Sequence, residues 1–88
     1  MTERTVVVAS RSGLHARPAK LFVQEAVRLG VAVRIRASGR EVAANSMLGV
    51  LSLGAVHGTE VTLSAADGPE SDAALDALAA LLARDLDE

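Results

Sequence analysis

The chain has 88 residues, a formal net charge of −2 and no cysteine, which excludes a disulfide scaffold and any thiol chemistry. Its single aromatic residue is Phe22 and its balance is acidic, so it lacks the basic, aromatic-bearing footprint of a nucleic-acid binder; no apolar run reaches the ~18–20 residues of a membrane helix. The length suits one small domain over residues 1–88, and Met1-Thr2-Glu3-Arg4 does not open a secretory leader, so a soluble cytoplasmic protein is expected, with nothing that demands more than a monomer.

Thr5-Val6-Val7-Val8 is β-branched throughout and reads as a strand. Ser10-Arg11-Ser12-Gly13 is a loop. From Ala16 to Leu29, Ala19, Phe22, Val23, Ala26 and Val27 recur at helical spacing, and Gly30 stands where a C-terminal cap belongs. Pro18 lies in the first turn, where its missing N–H costs no helical bond, and this puts the N-cap near His15. Val31 to Ala37 alternates apolar and basic, the period of a half-buried strand, and Ser38-Gly39 turns it into Arg40-Glu41-Val42-Ala43. Asn45 or Ser46 can cap a short helix from Met47 to Leu53, closed by Gly54. Glu60 to Ser64 alternates again as a strand. Gly68-Pro69 opens a last helix whose stripe is Leu75, Leu78, Leu81 and Leu82. The order β-α-β-β-α-β-α, with one apolar face per element, predicts an α+β domain: an antiparallel sheet with helices packed on one face.

Charge is uneven along this order. Eight of the nine basic residues precede residue 41, whereas acid dominates the end, from Asp67 through Asp85, Asp87 and Glu88. A local cationic face on an acidic protein follows. His15 sits at the loop-to-helix junction, where unpaired amides and the positive end of the helix dipole make an anion site. That field opposes a positive charge on the ring and favours a nucleophilic imidazole. Arg17 adds a guanidinium able to grip phosphate oxygens as a fork. The amide of Ala16 and the hydroxyl of Ser12 complete the candidate phosphate-binding set. The bland reading makes His15 a cap and Arg17 a solvated charge.

Two longer strings favour the chemical reading. Ser12-Gly13-Leu14-His15-Ala16-Arg17-Pro18-Ala19 closely resembles the active-site motif of the HPr family, the histidine-containing phosphocarriers of the bacterial phosphoenolpyruvate-dependent sugar phosphotransferase system. Asn45 to Gly54 resembles that family's second signature, at the spacing the family uses, and the likeness runs through essentially the whole chain. The resemblance implies an open-faced β-sandwich, a four-stranded antiparallel sheet covered on one face by three helices. It implies that His15 is phosphorylated on Nδ1 by phospho-enzyme I and passes the group to the IIA domain of a sugar-specific enzyme II. Arg17 would steady the phosphoryl group in both steps. No metal or other cofactor is implied, and the protein would be modified and restored rather than turn over a small molecule.

The second signature also bears on partners. Met47, Leu48, Val50, Leu51 and Leu53 fall on too many sides of a short helix for all to face a core. Met47, Leu48 and Leu51 are expected outside as a docking patch, and Val50 and Leu53 inside. Arg17, Lys20, Gln24 and Arg28 follow at helical steps as a stripe that would steer acidic partners; as single residues they read equally as a solvated helix face. Ser46 reads as a helix cap. The resemblance adds a second role, phosphorylation by a serine kinase (reversed by a phosphorylase) and binding of a transcription regulator, although Asn45 stands where many such relatives carry lysine. His57 reads as a surface turn residue, and two histidines without cysteine make no metal site. The competing classes are a regulatory module on the same scaffold, or a nitrogen-linked branch of phosphotransfer. A small RNA-binding α+β domain is disfavoured by the missing aromatics. The sugars served are not written in the chain.

Overall fold

The alternating runs form four strands, β1 (Thr2–Val7), β2 (Arg34–Ala37), β3 (Arg40–Ala43) and β4 (Glu60–Ala65). The apolar-striped segments form three helices, α1 (Ala16–Leu29), α2 (Met47–Ser52) and α3 (Pro69–Leu82), in a computed structural model that describes residues 1–86. The strands make one antiparallel sheet in the order β1-β4-β2-β3, with the three helices on one face, the open-faced arrangement expected. Register separates the two faces. Val6 opposes Val61, and Leu63 stands between Arg4 and Ile35, on the helix side. Thr5, Thr62, Arg36 and Glu41 line up on the other side, which no helix covers.

The core lies between layers. Ile35, Val61 and Leu63 from the sheet are sealed against Phe22, Val50, Leu75, Leu78 and Leu82 from the helices. On the open face, Arg34 pairs with Glu41 at 3.5 Å and Arg36 with Glu3 at 4.0 Å. Arg4 lies at the rim of the helix face and reaches α3, where its Nε donates to Asp76 at 2.9 Å with Asp72 at 3.9 Å from its Nη2. Such exposed pairs contribute only about 0–1 kcal/mol each. The fold rests on burial.

Several boundaries differ from the sequence expectation, each because pairing overrides local pattern. β1 starts at Thr2 rather than Thr5, since it pairs along all of β4 from Thr2–Ala65 to Val7–Glu60. Asp67 anchors that end, accepting from Thr2 Oγ1 at 2.8 Å and lying 3.1 Å from the Met1 amino group. β2 begins at Arg34 rather than Val31; Val33 is buried and its carbonyl takes the Ala44 amide at 2.9 Å, outside the ladder. α2 ends at Ser52, with Leu53 as its C-cap, and β4 runs on to Ala65. Val27 is 61% exposed. The buried face of α1 runs through Ala19, Phe22 and Ala26, and Val27 lies ~100° round from Ala26, past its edge. Leu81 is half-buried at the corresponding margin of α3.

Phe22, the largest fully buried side chain, bridges the layers. Phe22→Ala should therefore lower the unfolding free energy by about 3–5 kcal/mol, read from urea unfolding followed by far-UV circular dichroism.

Candidate functional site

His15 is positioned by the two residues before it. The Gly13 amide donates to the Ser10 carbonyl at 2.9 Å, closing a turn, and Gly13 has φ +75°. A Cβ there would meet the Ala55 carbonyl oxygen at 2.5 Å and Val56 Cα at 2.7 Å. Only glycine lets this loop lie so close against the segment that follows α2. Leu14 is fully buried and its amide donates to the Ala55 carbonyl at 2.8 Å. The loop is thus pinned from below, and His15 emerges half-buried as the N-cap of α1, in extended conformation and with no cap bond from its side chain.

The helix start is open. Ala16 has φ +48°, a left-handed conformation that costs a non-glycine residue about 1–2 kcal/mol. Pro18 has no amide to offer, and the Ala19 amide reaches the His15 carbonyl only at 3.5 Å. The amides of Ala16 and Arg17 are the two donors that a helix start leaves without an intrahelical acceptor; neither bonds a backbone carbonyl elsewhere among the described residues. Arg17 is exposed, and no described carboxylate comes within 4 Å of its guanidinium. Ser12 is exposed in the same turn. Imidazole, two amides without a backbone acceptor and a guanidinium therefore sit on three consecutive residues, the set that a transferable phosphoryl group requires.

One neighbour of this loop is invisible in the local sequence. Ser10 is buried; its Oγ accepts from the Leu86 amide at 2.9 Å and donates to the Arg84 carbonyl at 3.3 Å. The Ala9 amide donates to the Leu82 carbonyl at 3.1 Å, and Arg11 Nε pairs with Asp85 at 3.1 Å. The segment after α3 is hooked onto the His15 loop, and a cleft of about 320 Å³ opens between that segment and α1, lined by Arg17, Leu21, Arg84, Asp85 and Leu86. These partners are 73 to 76 residues apart in the chain, beyond the reach of any periodicity.

A family model described as the PTS HPr component phosphorylation site matches residues 2–84. The chain is 51% identical to phosphocarrier protein HPr of Streptomyces coelicolor, an alignment spanning 100% of this chain and 95% of that protein. The chain belongs to the HPr family. It is also 46% identical to the HPr-like protein Crh of Bacillus subtilis, over 91% of this chain and 93% of the relative. Among solved structures, HPr-C-His of Thermoanaerobacter tengcongensis superposes with a TM-score of 0.90 at 38% identity, covering 100% of this chain and 98% of that one. The Crh of Bacillus subtilis has also been described crystallographically as a swapped, intertwined dimer; it covers 97% of each chain at 45% identity and a TM-score of 0.70.

The second signature of the HPr family forms α2, and here the structure corrects the expectation. Leu48 stands out, 82% exposed, but Met47 and Leu51 are half-buried against the core. α2 is a six-residue helix seated on the core rim. Positions 47, 50 and 51, spaced i, i+3 and i+4, share its inward side. Val50 and Leu53 are buried, as expected. Of the two candidate caps Ser46 is the one used, its Oγ accepting from the Gly49 amide at 3.1 Å. The cationic stripe is shortened. Lys20 and Gln24 are exposed, but Arg28 is held by Glu25 through two 2.6 Å bonds, from Nε and Nη2. These bonds keep the Glu25 carboxyl below its ordinary range, so the pair persists at neutral pH and is lost only as acid protonates Glu25. His57 is exposed in the turn that Thr59 Oγ1 closes by accepting from the Val56 amide at 3.1 Å. No group of three or more metal-ligating side chains occurs among the described residues.

The fit of Gly13 is checked against Gly30, which also has positive φ but nothing within 4 Å of an added Cβ. Gly30→Ala should cost about 1 kcal/mol of stability, whereas Gly13→Ala should cost about 2–4 kcal/mol, both measured by urea unfolding.

Proposed function

We propose that this chain carries phosphoryl groups between proteins, receiving them on His15 from phospho-enzyme I and delivering them to the IIA domain of a sugar-specific enzyme II. The observation that supports this most directly is the His15 ring at the start of α1, not used as a cap, next in the chain to the amides of Ala16 and Arg17, which bond no described backbone carbonyl. In the transfer, the Nδ1 lone pair of His15 attacks phosphorus and forms the new P–N bond. The donor's own bond to phosphorus breaks, and the donor group keeps the electron pair. The phosphoryl oxygens then meet the two amides and the Arg17 guanidinium, which favour the charged product. Delivery reverses these steps: the accepting group of the IIA domain attacks phosphorus, the P–N bond breaks, and Nδ1 of His15 keeps the electron pair. The chain ends unchanged, so it is a carrier and not a turnover enzyme, and the oxygens are satisfied without a metal. Ser12 would add a hydroxyl donor from the same turn. We place this work in the cytoplasm, by a monomer; no described helix is long and apolar enough to cross a membrane.

The partner surface joins the His15 end of α1 to α2, with Leu48 as its apolar centre and Arg17, Lys20 and Gln24 beside it. Met47 and Leu51 support Leu48 from within rather than forming the face themselves. Cations next to an exposed apolar residue suit an acidic partner whose encounter is steered by charge. Ser46 has a structural role in capping α2, worth about 1 kcal/mol. A serine-directed switch draws support only from the family resemblance, so the cap is the role assigned.

Incubation with enzyme I and phosphoenolpyruvate should add one acid-labile, alkali-stable phosphate, seen by intact mass. His15→Ala should abolish it, and equal labelling of that variant would remove His15 from the mechanism. Leu48→Asp should weaken binding to enzyme I at least about tenfold in calorimetry, with an unchanged unfolding midpoint; unchanged affinity would take α2 out of the interface.

A further inference from the structure

We propose that Arg84 is a second guanidinium for the phosphoryl group on His15, acting across the cleft from Arg17; the inference rests on His15 being the phosphorylated residue. Arg84 follows α3, and its backbone is held at both ends. Its amide donates to the Leu81 carbonyl at 3.2 Å and its carbonyl accepts from Ser10 Oγ at 3.3 Å. Ser10 belongs to the loop that carries His15, and it also closes the Gly13 turn through its carbonyl at 2.9 Å. One buried serine therefore ties the backbone of Arg84 directly to the reactive loop. The residue is exposed and lines the same cleft as Arg17.

The charges in the cleft suit an anion. Asp85 is the one acidic side chain among the described residues that line it, and its carboxylate is drawn to Arg11 at 3.1 Å. No described carboxylate lies within 4 Å of Arg84 or of Arg17. The cleft is thus lined by two guanidiniums without a described carboxylate partner, and one of them, Arg17, is two residues along the chain from His15, the group that gains negative charge in the reaction. A phosphoryl group has three non-bridging oxygens. The amides of Ala16 and Arg17 and one guanidinium do not exhaust their lone pairs, and a second fork from the Arg84 side would take the remainder. Leu86, buried, and Leu21 close the apolar side of the cleft, which lowers the dielectric and strengthens each charged contact.

Arg84 also has a purely structural alternative, a cation set against the C-terminal dipole of α3. The two roles separate in the phosphorylated protein. The full chain would be phosphorylated chemically with phosphoramidate, without enzyme I, and the phosphohistidine titrated by phosphorus NMR. A guanidinium in contact favours the doubly charged phosphoryl form, so Arg84→Gln should raise the titration midpoint by about half a pH unit. Arg84→Lys should restore part of the shift. Arg40→Gln, which removes another exposed cation, on β3, should leave it unmoved. In transfer from phospho-enzyme I, Arg84→Gln should be roughly tenfold slower, and its effect should shrink in an Arg17→Gln background, since both would act on one group. A midpoint identical to the native protein overturns the proposal even if transfer slows, because Arg84 would then serve docking or the helix end. If phosphoramidate labels His15 but enzyme I does not, the donor named above is wrong while the role of Arg84 still stands or falls on the titration. If neither labels His15, both readings fail together.

Discussion

The site depends on one close approach, that of Gly13 and Leu14 to Ala55 and Val56. The Leu14 amide bonds the Ala55 carbonyl at 2.8 Å, Leu14 fills the core, and Gly13 leaves no room for a Cβ. A reactive side chain on a free loop would sample many positions, and each phosphotransfer would bear the entropy of ordering it. Here the chain on one side of His15 is locked into the core, and on the other it becomes α1 within one residue. The left-handed Ala16 lies between these two fixed points. Its strain is sustained because the buried leucine and the helix over-determine the backbone on either side.

The same economy governs charge. Most guanidiniums are answered locally: Arg4 by Asp76 and Asp72, Arg28 by Glu25, Arg34 by Glu41, Arg36 by Glu3 and Arg11 by Asp85. Among the described residues, Arg17, Lys20, Arg40 and Arg84 carry cations without a carboxylate within 4 Å, Arg40 apart from the others on β3. Arg17 and Arg84 line one cleft, and Lys20 lies one turn along α1. An acidic protein can thus present a compact cationic region at its reactive end while its overall charge keeps it soluble. The open sheet face, by contrast, is laced with paired charges and the Thr5–Thr62 hydroxyl contact at 3.3 Å. That pattern explains why a sheet face without a helix layer is stable in water.

The element order and the identity of the buried strips were legible in the sequence, because periods of two and 3.6 residues register which side of each element is apolar. Pro18 and Gly30 marked the ends of α1, and the His15 and Ser46 junctions were recognisable as helix starts from the residues around them. Local pattern was least informative where an element's context decided its exposure. The apolar positions of α2 could be divided between core and surface only once the helix was seated on β3 and α1; this turned Met47 and Leu51 inward and left Leu48 alone outside. Arg28 likewise looked like part of a steering stripe, although Glu25, three residues before it, takes both arms of its guanidinium.

The sequence by itself determined the chemistry available at His15, because nucleophile, helix start and Arg17 are neighbours in the chain and their proximity needs no tertiary fold. It also determined the layers, since alternation dictates which faces must meet. Only the tertiary structure decided what surrounds the reactive loop. Ser10 bonded to Arg84 and Leu86, Gly13 pressed onto Ala55, and the cleft shared by Arg17 and Arg84 all join segments distant in sequence. No local propensity encodes such contacts. They arise when the sheet brings β1 beside β4 and lets α3 return its end to the loop at His15.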